Sequence, residues 1–166
     1  MQNAKDTFYE VVRDRVAAAN AALTVVVRGV LRPAVVVDEN EIASGADLRD
    51  CFRLRWTGLS VTAEGAASLV SMQCEIRYAT VGSAGGLDRG RVLAGLDAVL
   101  AAAVGTAPQN SVKKDFAALA DGGAATALGS SIWWSDVAFG AVAEDAAEIR
   151  RTATVEVWSY QEAGEA

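Results

Sequence analysis

Residue types that enzymes use for proton transfer and nucleophilic attack are sparse in this sequence. Histidine is absent, so no serine or cysteine can be activated by an imidazole base. Lys5 lies outside any serine motif, and Lys113 and Lys114 are interpreted as a solvated pair. No glycine-rich stretch has the spacing of a phosphate-binding loop. The sequence therefore predicts a protein that is not an enzyme and that uses no cofactor and no metal.

Clustered carboxylates are the remaining candidates for chemistry. The segment DENE at 38–41 offers the oxygen ligands that calcium prefers, but Ile42 and Ala43 replace a ligand and the glycine of an EF-hand loop. We interpret this segment as part of a solvated loop. A carboxylate-dependent hydrolase would need a pair of carboxylates from a second acidic group near the end of the chain. We favour the interpretation that this second group belongs to a solvated connector. That group consists of Asp136, Glu144, Asp145 and Glu148.

Two stretches with strict two-residue alternation give the clearest structural signal. In CFRLRW, Phe52, Leu54 and Trp56 alternate with arginines, and the stretch LVSMQCEIRY alternates in the same way. This period is typical of antiparallel strands with one face in a core and one in water. With a turn at Gly65, residues 51–79 are predicted to form a hairpin in which arginines meet Glu75.

The two cysteines lie on this hairpin at positions whose side chains are predicted to point to opposite faces of the sheet. Cys74 shares the apolar face of its strand, whereas Cys51 has the parity of Arg53 and Arg55. Side chains on opposite faces of one hairpin cannot reach disulfide geometry without a bulge. Both residues are therefore predicted to be free thiols with a structural role.

Two amphipathic helices are predicted on either side of the hairpin. Residues 3–22 and 88–103 repeat apolar residues at three- and four-residue spacing. Asp88 stands where a helix cap belongs. The segment 104–130, rich in glycine, is predicted to be loose, with one possible helical turn at 112–119.

Further strands complete the predicted fold. β-branched residues predict a strand at 24–30 and, after a bend at Pro33, an edge segment at 34–38. Closing strands are predicted at 131–139 and 151–160. The expected class is α+β, a mostly antiparallel sheet with two main helices packed on it.

Composition limits the function further. The 166 residues contain 15 Lys and Arg against 21 Asp and Glu, a net charge of −6. Binding to nucleic acid through bulk electrostatics needs a cationic surface, so no specific nucleic-acid binding is expected. A membrane-spanning helix needs about 20 predominantly apolar residues, and no membrane association is expected. The length predicts one domain, 1–166.

Aromatic residues near the end of the chain supply a candidate interface. Trp133 and Trp134 are adjacent in a predicted strand, so their side chains leave opposite faces and only one can enter the core. Trp158 and Tyr160 lie opposite the apolar face of the last strand. Either the chain's own helices or another subunit must cover the outward rings. The interface candidates are Trp133, Trp134, Trp158 and Tyr160, with the outward arginines Arg53, Arg55 and Arg77.

The order of these elements, and above all the closing unit SSIWWSDVAFGAVAEDAAEIRRTATVEVWSY, resembles the tail-terminator and tail-completion proteins of phages. In that family an aromatic-rich strand is followed by a final alternating strand. The loose segment 104–130 departs from the family's pattern. The resemblance implies an α+β fold with helices on one side of a sheet, no catalytic residues, and assembly into a six-fold ring that caps the tail tube and joins it to the head.

The resemblance also implies partners and a location. The expected partners are further copies of the chain in a hexameric ring, the tail-tube protein and the head–tail connector proteins, with DNA only as passing cargo. An acidic channel would let DNA slide without sticking. The expected location is the tail or neck of the virion, after assembly in the cytoplasm of the bacterial host.

Two alternatives remain open. One is an α+β domain that binds a small molecule or peptide in a pocket between the sheet and the middle helix. The other is a different head–tail connector or tail-tube component.

Overall fold

The computed structural model of the protein describes residues 2–41, 48–64, 67–83, 86–105, 112–119 and 125–160. The described helices are α1 (Gln2–Ala19), the short α2 (Asp38–Glu41) and α3 (Arg89–Val104). The described strands are β1 (Thr24–Val27), β2 (Val30–Pro33), β3 (Val35–Val37), β4 (Phe52–Glu64), β5 (Ala67–Thr80), β6 (Val112–Leu119), β7 (Ala125–Trp134), β8 (Ala138–Phe139), β9 (Ala143–Glu144) and β10 (Ile149–Tyr160).

One large sheet organises this part of the chain. Its strands follow the order β3–β4–β5–β10–β7–β6, and β8 and β9 also pair with β10. Every pair in it is antiparallel except β3 with β4. The predicted α+β class, the pairing of the two strands of the hairpin 51–79 (β4 and β5), the edge segment 34–38 (β3) and the closing strand 151–160 (β10) are confirmed. The turn predicted at Gly65 lies outside the described residues. The last strand lies in the interior of the sheet, between β5 and β7.

Helices α1 and α3 pack on one face of this sheet and form the main core with it. The predicted apolar stripe of α1 is buried at Phe8, Val11, Val12 and Val16, whereas Ala19 at the end of the helix is exposed. The ring of Phe8 contacts those of Trp56 and Trp134 edge to face, at centroid distances of 5.7 and 5.6 Å. From the sheet, alternate residues such as Leu54 and Val155 are at most 1% exposed. The two-residue period of the strands therefore places one face in the core, as predicted.

The opposite face is covered at one corner by a separate hairpin of β1 and β2. The single strand predicted at 24–30 is wrong, because the chain reverses at Arg28 and Gly29. Both residues have positive φ, 51° and 80°, as the two-residue turn of a tight hairpin requires. The hairpin packs Val25 and Val27 against a small buried cluster that contains Cys51.

The cysteines confirm the parity argument. Cys74 belongs to the main core, whereas Cys51 lies in the small cluster with Ala34 and Val36 on the other face. Both are buried, and neither takes part in a disulfide. The sheet separates the two thiols.

The segment predicted to be loose contains two paired strands instead. The helical turn expected at 112–119 is the strand β6, which pairs with β7 from Val112 opposite Ile132 to Leu119 opposite Ala125. Eight residues are too few for a stable helix in water, whereas pairing with β7 satisfies the backbone of both segments. Helix α3 extends to Val104, and residues 106–111 and 120–124 lie outside the described residues.

The closing strand predicted at 131–139 is also divided. Strand β7 ends at Trp134, and β8 begins at Ala138. At the break, the side-chain oxygen of Ser135 accepts a hydrogen bond from the main-chain N–H of Glu156 at 3.0 Å. The Ser135 side chain thus takes the place of a main-chain carbonyl as the acceptor for Glu156, and the regular pairing of β7 with β10 stops here.

Two further predictions differ from the structure. Helix α1 ends at Ala19 rather than at 22, because the side-chain oxygen of Asn20 accepts the N–H of Ala22 at 3.1 Å and turns the chain. Segment 38–41, predicted as a loop, is the short helix α2. Residues 42–47 lie outside the described residues. No described helix is long and apolar enough to cross a bilayer.

The predicted cap of the second helix has a different contact. Asp88 stands at the N-cap position of α3, but its side chain makes no capping hydrogen bond. Its carboxylate instead accepts hydrogen bonds from the main-chain N–H and the hydroxyl of Ser83. These bonds lower the pKa of Asp88 and tie the connector to the start of the helix.

Candidate interaction surface

The sheet face that points away from α1 and α3, here called the outer face, carries most of the predicted interface residues. Along β10, even-numbered residues point outward while Ala153, Val155 and Val157 are buried. Two groups stand out, aromatic at the Tyr160 end and rich in arginine at the Ile149 end. Arg150 and Trp158 are eight residues apart on one strand, or roughly 26 Å at about 3.3 Å per residue.

Trp133, Trp158 and Tyr160 form the first group, here called the aromatic cluster. Trp158 lies directly opposite Trp133 in the pairing of β10 with β7. The rings of Trp133 and Tyr160 are 5.4 Å apart between centroids. Both tryptophans are half-buried, and Tyr160 is 44% exposed. The cluster thus presents a connected aromatic surface.

Trp134 leaves the opposite face and belongs to the core. It is 3% exposed, and its indole N–H donates to the carbonyl oxygen of Val104 at 3.2 Å. The guanidinium of Arg15 covers its ring at 5.2 Å from the centroid. The parity argument is confirmed, but Trp134 offers no surface to a partner. Its place in the predicted interface is therefore wrong.

A cleft of about 620 Å³ occupies the other end of the outer face. We call it the arginine cleft, because five arginines line it together with two glutamates. Ala79 and Thr152 lie between larger side chains and leave the depression open. The charged lining residues are Arg49, Arg53, Arg77, Arg150, Arg151, Glu75 and Glu148.

Ion pairs hold the arginines of the cleft in place. Arg53 donates from Nε to Asp38 at 3.2 Å, not to Glu75 as the sequence analysis expected. Arg77 donates from Nε and Nη2 to Glu75, two residues earlier on its own strand. The reason is that the pairing places Arg53 opposite Arg77, and Arg55, which is exposed, opposite Glu75.

A partly buried network on the helix side fixes the other edge of the cleft. The hydroxyl of Tyr78 donates to Asp97 of α3, and Arg151 approaches the same carboxylate at 3.5 Å. Burial, together with the bond to Asp97, raises the pKa of the Tyr78 hydroxyl. The network joins α3 to both central strands, β5 and β10.

Two of the four carboxylates considered for hydrolysis, Asp145 and Glu148, are engaged at or near this cleft, whereas Asp136 and Glu144 are exposed. Asp145 accepts the main-chain N–H groups of Ala147 and Glu148, which lowers its pKa. Glu148 lies 3.8 Å from Arg49, and Asp145 lies 3.7 Å from Arg150. These contacts order the loop before β10. Among the described residues, no group of three or more candidate ligands is placed to hold a metal ion.

Sequence reasoning missed part of the cleft. Arg49 and Arg150 stand outside the alternating stretches that singled out Arg53 and Arg77, and only the pairing of β5 with β10 brings Arg150 beside them. Arg150 does show the outward parity of Trp158 in the sequence. This alternation is the signal in the sequence that places Arg150 on the outer face.

Comparison with known proteins adds no assignment. The chain matches no protein-family model, and the search of curated proteins finds no match. The function is therefore inferred from the fold and the outer face.

Proposed function

We propose that the protein is a structural subunit of a phage tail, a tail-terminator or tail-completion protein that assembles into a ring. The aromatic cluster is the observation that carries this proposal. Connected aromatic side chains that remain partly exposed are typical of contact surfaces between proteins. Within the described residues, both main helices pack on the other face of the sheet, so the cluster is available to a neighbouring subunit.

A second exposed apolar patch supports a ring. On β4, Leu59 and Val61 are 55% and 52% exposed, although they lie opposite the buried residues Met72 and Val70. They lie on the helix-side face of the sheet, beyond the part that α1 and α3 cover. A ring requires two different surfaces on each subunit, which meet head to tail. The aromatic cluster and this patch are two such surfaces.

The proposed partners follow from the same role. They are further copies of the chain in a hexameric ring, the tail-tube protein and the head–tail connector proteins, with DNA passing through. The net charge of −6 supports a wall along which DNA moves without binding. The proposed location is the tail or neck of the virion.

The oligomeric state of the purified protein tests the proposal. Mass photometry and negative-stain microscopy over a range of concentrations should detect a closed ring. Trp133→Ala and Trp158→Ala should weaken its assembly by about 30-fold or more, because removing a central interface aromatic often costs about 2 kcal/mol. Leu87→Ala is the matched control, since Leu87 is 98% exposed and lies outside both patches. Rings that are unaffected by the tryptophan variants, or a monomer at every concentration, would contradict the proposal.

The second candidate function is a binding domain for a peptide or small molecule. The sequence places its pocket between the sheet and the middle helix, but the cleft lies on the outer face and no residue of α3 lines it. The arginine cleft still favours this function, because its volume of about 620 Å³ lies within the range of ligand pockets. The two functions are compatible, since the cleft and the aromatic cluster occupy opposite ends of the outer face.

A further inference from the structure

We propose that the arginine cleft binds a carboxylate-rich peptide segment of a partner protein, with Arg53 and Arg77 as its anchor. This inference goes beyond the ring and stands without it, because it depends on residues at the other end of the sheet. It names the ligand class of a surface that the aromatic cluster does not use.

The anchor is a pair of like charges in direct opposition. Arg53 on β4 and Arg77 on β5 are cross-strand partners, and like charges in that position destabilise a sheet. Asp38, which follows the neighbouring strand β3, compensates Arg53, and Glu75, two residues along β5, compensates Arg77. A carboxylate bound between the two guanidinium groups would relieve the repulsion.

The guanidinium groups retain donors for such a ligand. An arginine has five N–H donors in a planar fork that matches a carboxylate. Within the described part of the chain, Arg53 makes its hydrogen bond through Nε alone. Arg150 approaches Asp145 only at 3.7 Å. The cleft therefore offers hydrogen-bond donors beyond those that its own acidic residues engage.

The spacing of the arginines fits an extended peptide. Arg77 pairs with Thr152, two residues along β10 from Arg150, so the two arginines are diagonal neighbours, about 7–8 Å apart. In an extended chain, side chains at alternate positions are about 6.6 Å apart and point the same way. Carboxylates at positions one and three of a peptide can therefore meet Arg77 and Arg150 together.

The acidic residues of the lining favour a peptide over nucleic acid. Glu75 and Glu148 interrupt the basic surface and would repel the closely spaced phosphates of a nucleic acid. Their carboxylates can accept hydrogen bonds from peptide N–H groups or lysine side chains. A peptide with separated acidic residues satisfies both charges of the lining.

Binding of a synthetic peptide tests this proposal. The probe is a fluorescently labelled peptide with glutamate at alternate positions, Glu-Thr-Glu-Thr-Glu, blocked at both ends and followed by fluorescence anisotropy at low salt. The same peptide with glutamine in place of glutamate, a single-stranded oligonucleotide and pyrophosphate are the comparison ligands. The acidic peptide should bind most tightly, and added salt should weaken its binding.

Variants of the anchor locate the site. Arg53→Gln and Arg77→Gln should each weaken peptide binding by about tenfold, while Arg55→Gln should change it by less than about twofold. Arg55 is the matched control, because it lies on β4 beside the anchor but does not line the cleft. Arg77→Lys keeps the charge and loses the planar fork, so its affinity should fall between those of the wild type and Arg77→Gln.

Circular dichroism of each variant shows whether it is folded, and a variant that unfolds is replaced by its lysine counterpart. The proposal is overturned if the peptide does not bind at millimolar concentration. It is also overturned if the oligonucleotide or pyrophosphate binds more tightly, or if Arg55→Gln weakens binding as much as the anchor variants do. None of these outcomes bears on ring formation, which mass measurements follow separately.

Discussion

Trp133 lies directly opposite Trp158 on the outer face of the sheet, whereas the next residue, Trp134, lies opposite the buried Val157 on the core face. Adjacent residues of one strand thus have unlike surroundings. The indole in the core stabilises the subunit, and the outward pair is available for contact. This difference makes the two roles separable by mutation.

Substitution of the two adjacent tryptophans should have opposite consequences. Trp134→Ala should lower the free energy of unfolding by about 3–5 kcal/mol, because it removes a large buried side chain together with the hydrogen bond to Val104. Trp133→Ala should lower it by no more than about 1 kcal/mol and impair assembly instead. Urea denaturation of the isolated subunit measures both values, and equal losses would contradict the assignment of faces.

Loss of one hydroxyl should weaken the attachment of α3 to the sheet. Tyr78→Phe removes the donor to Asp97 and should lower the free energy of unfolding by about 1–3 kcal/mol. Tyr160→Phe is the control, since Tyr160 is 44% exposed and its hydroxyl can bond to water. The prediction fails if both variants unfold at the same urea concentration as the wild type.

Stability should fall at alkaline pH. Burial raises the pKa of the Cys74 thiol above its ordinary value of 9.0, so above about pH 9 the unfolded chain loses a proton that the native state keeps. The free energy of unfolding then falls by about 1.4 kcal/mol per pH unit for this group. Urea titrations at pH 7 to 11 measure the slope. In Cys74→Ala the decrease of the free energy of unfolding with pH should be smaller by that amount. An unchanged decrease would show that Cys74 is not its source.

Both thiols should be protected in the native state. Cys51 and Cys74 are each fully buried, on opposite faces of the sheet, and a buried thiol reacts slowly because the reagent needs the thiolate. Titration of the unreduced protein with a thiol reagent should count two thiols in denaturant. In the native protein the same two thiols should react slowly. A count of zero in denaturant would contradict the separation of the cysteines.

Much of the sheet could be predicted because alternation reports burial directly. Phe52 and Leu54, like Ala153 and Val155, repeat every two residues since one face of each strand lies in the core. The hairpin of β1 and β2 was missed because its turn contains Arg28, and arginine seldom adopts positive φ. No apolar period distinguishes its two strands.

The remaining differences arise from contacts between distant segments. The strand β6 forms by pairing with β7, and nothing within 112–119 alone favours a strand over a helical turn. The opposition of Arg53 and Arg77 depends likewise on register. A β-bulge between Trp56 and Gly58 shifts the pairing of β4 with β5. A glycine inside a strand often marks a bulge, but it does not specify which residues then face each other.

A cryo-electron microscopy map of the assembled particle tests the central proposal most directly. The account predicts a closed ring in which Trp133, Trp158 and Tyr160 of each subunit are buried against its neighbour. Trp134 should remain inside its own subunit, in contact with Phe8. A ring, or any other assembly, in which the aromatic cluster faces solvent and touches no neighbour would contradict the account.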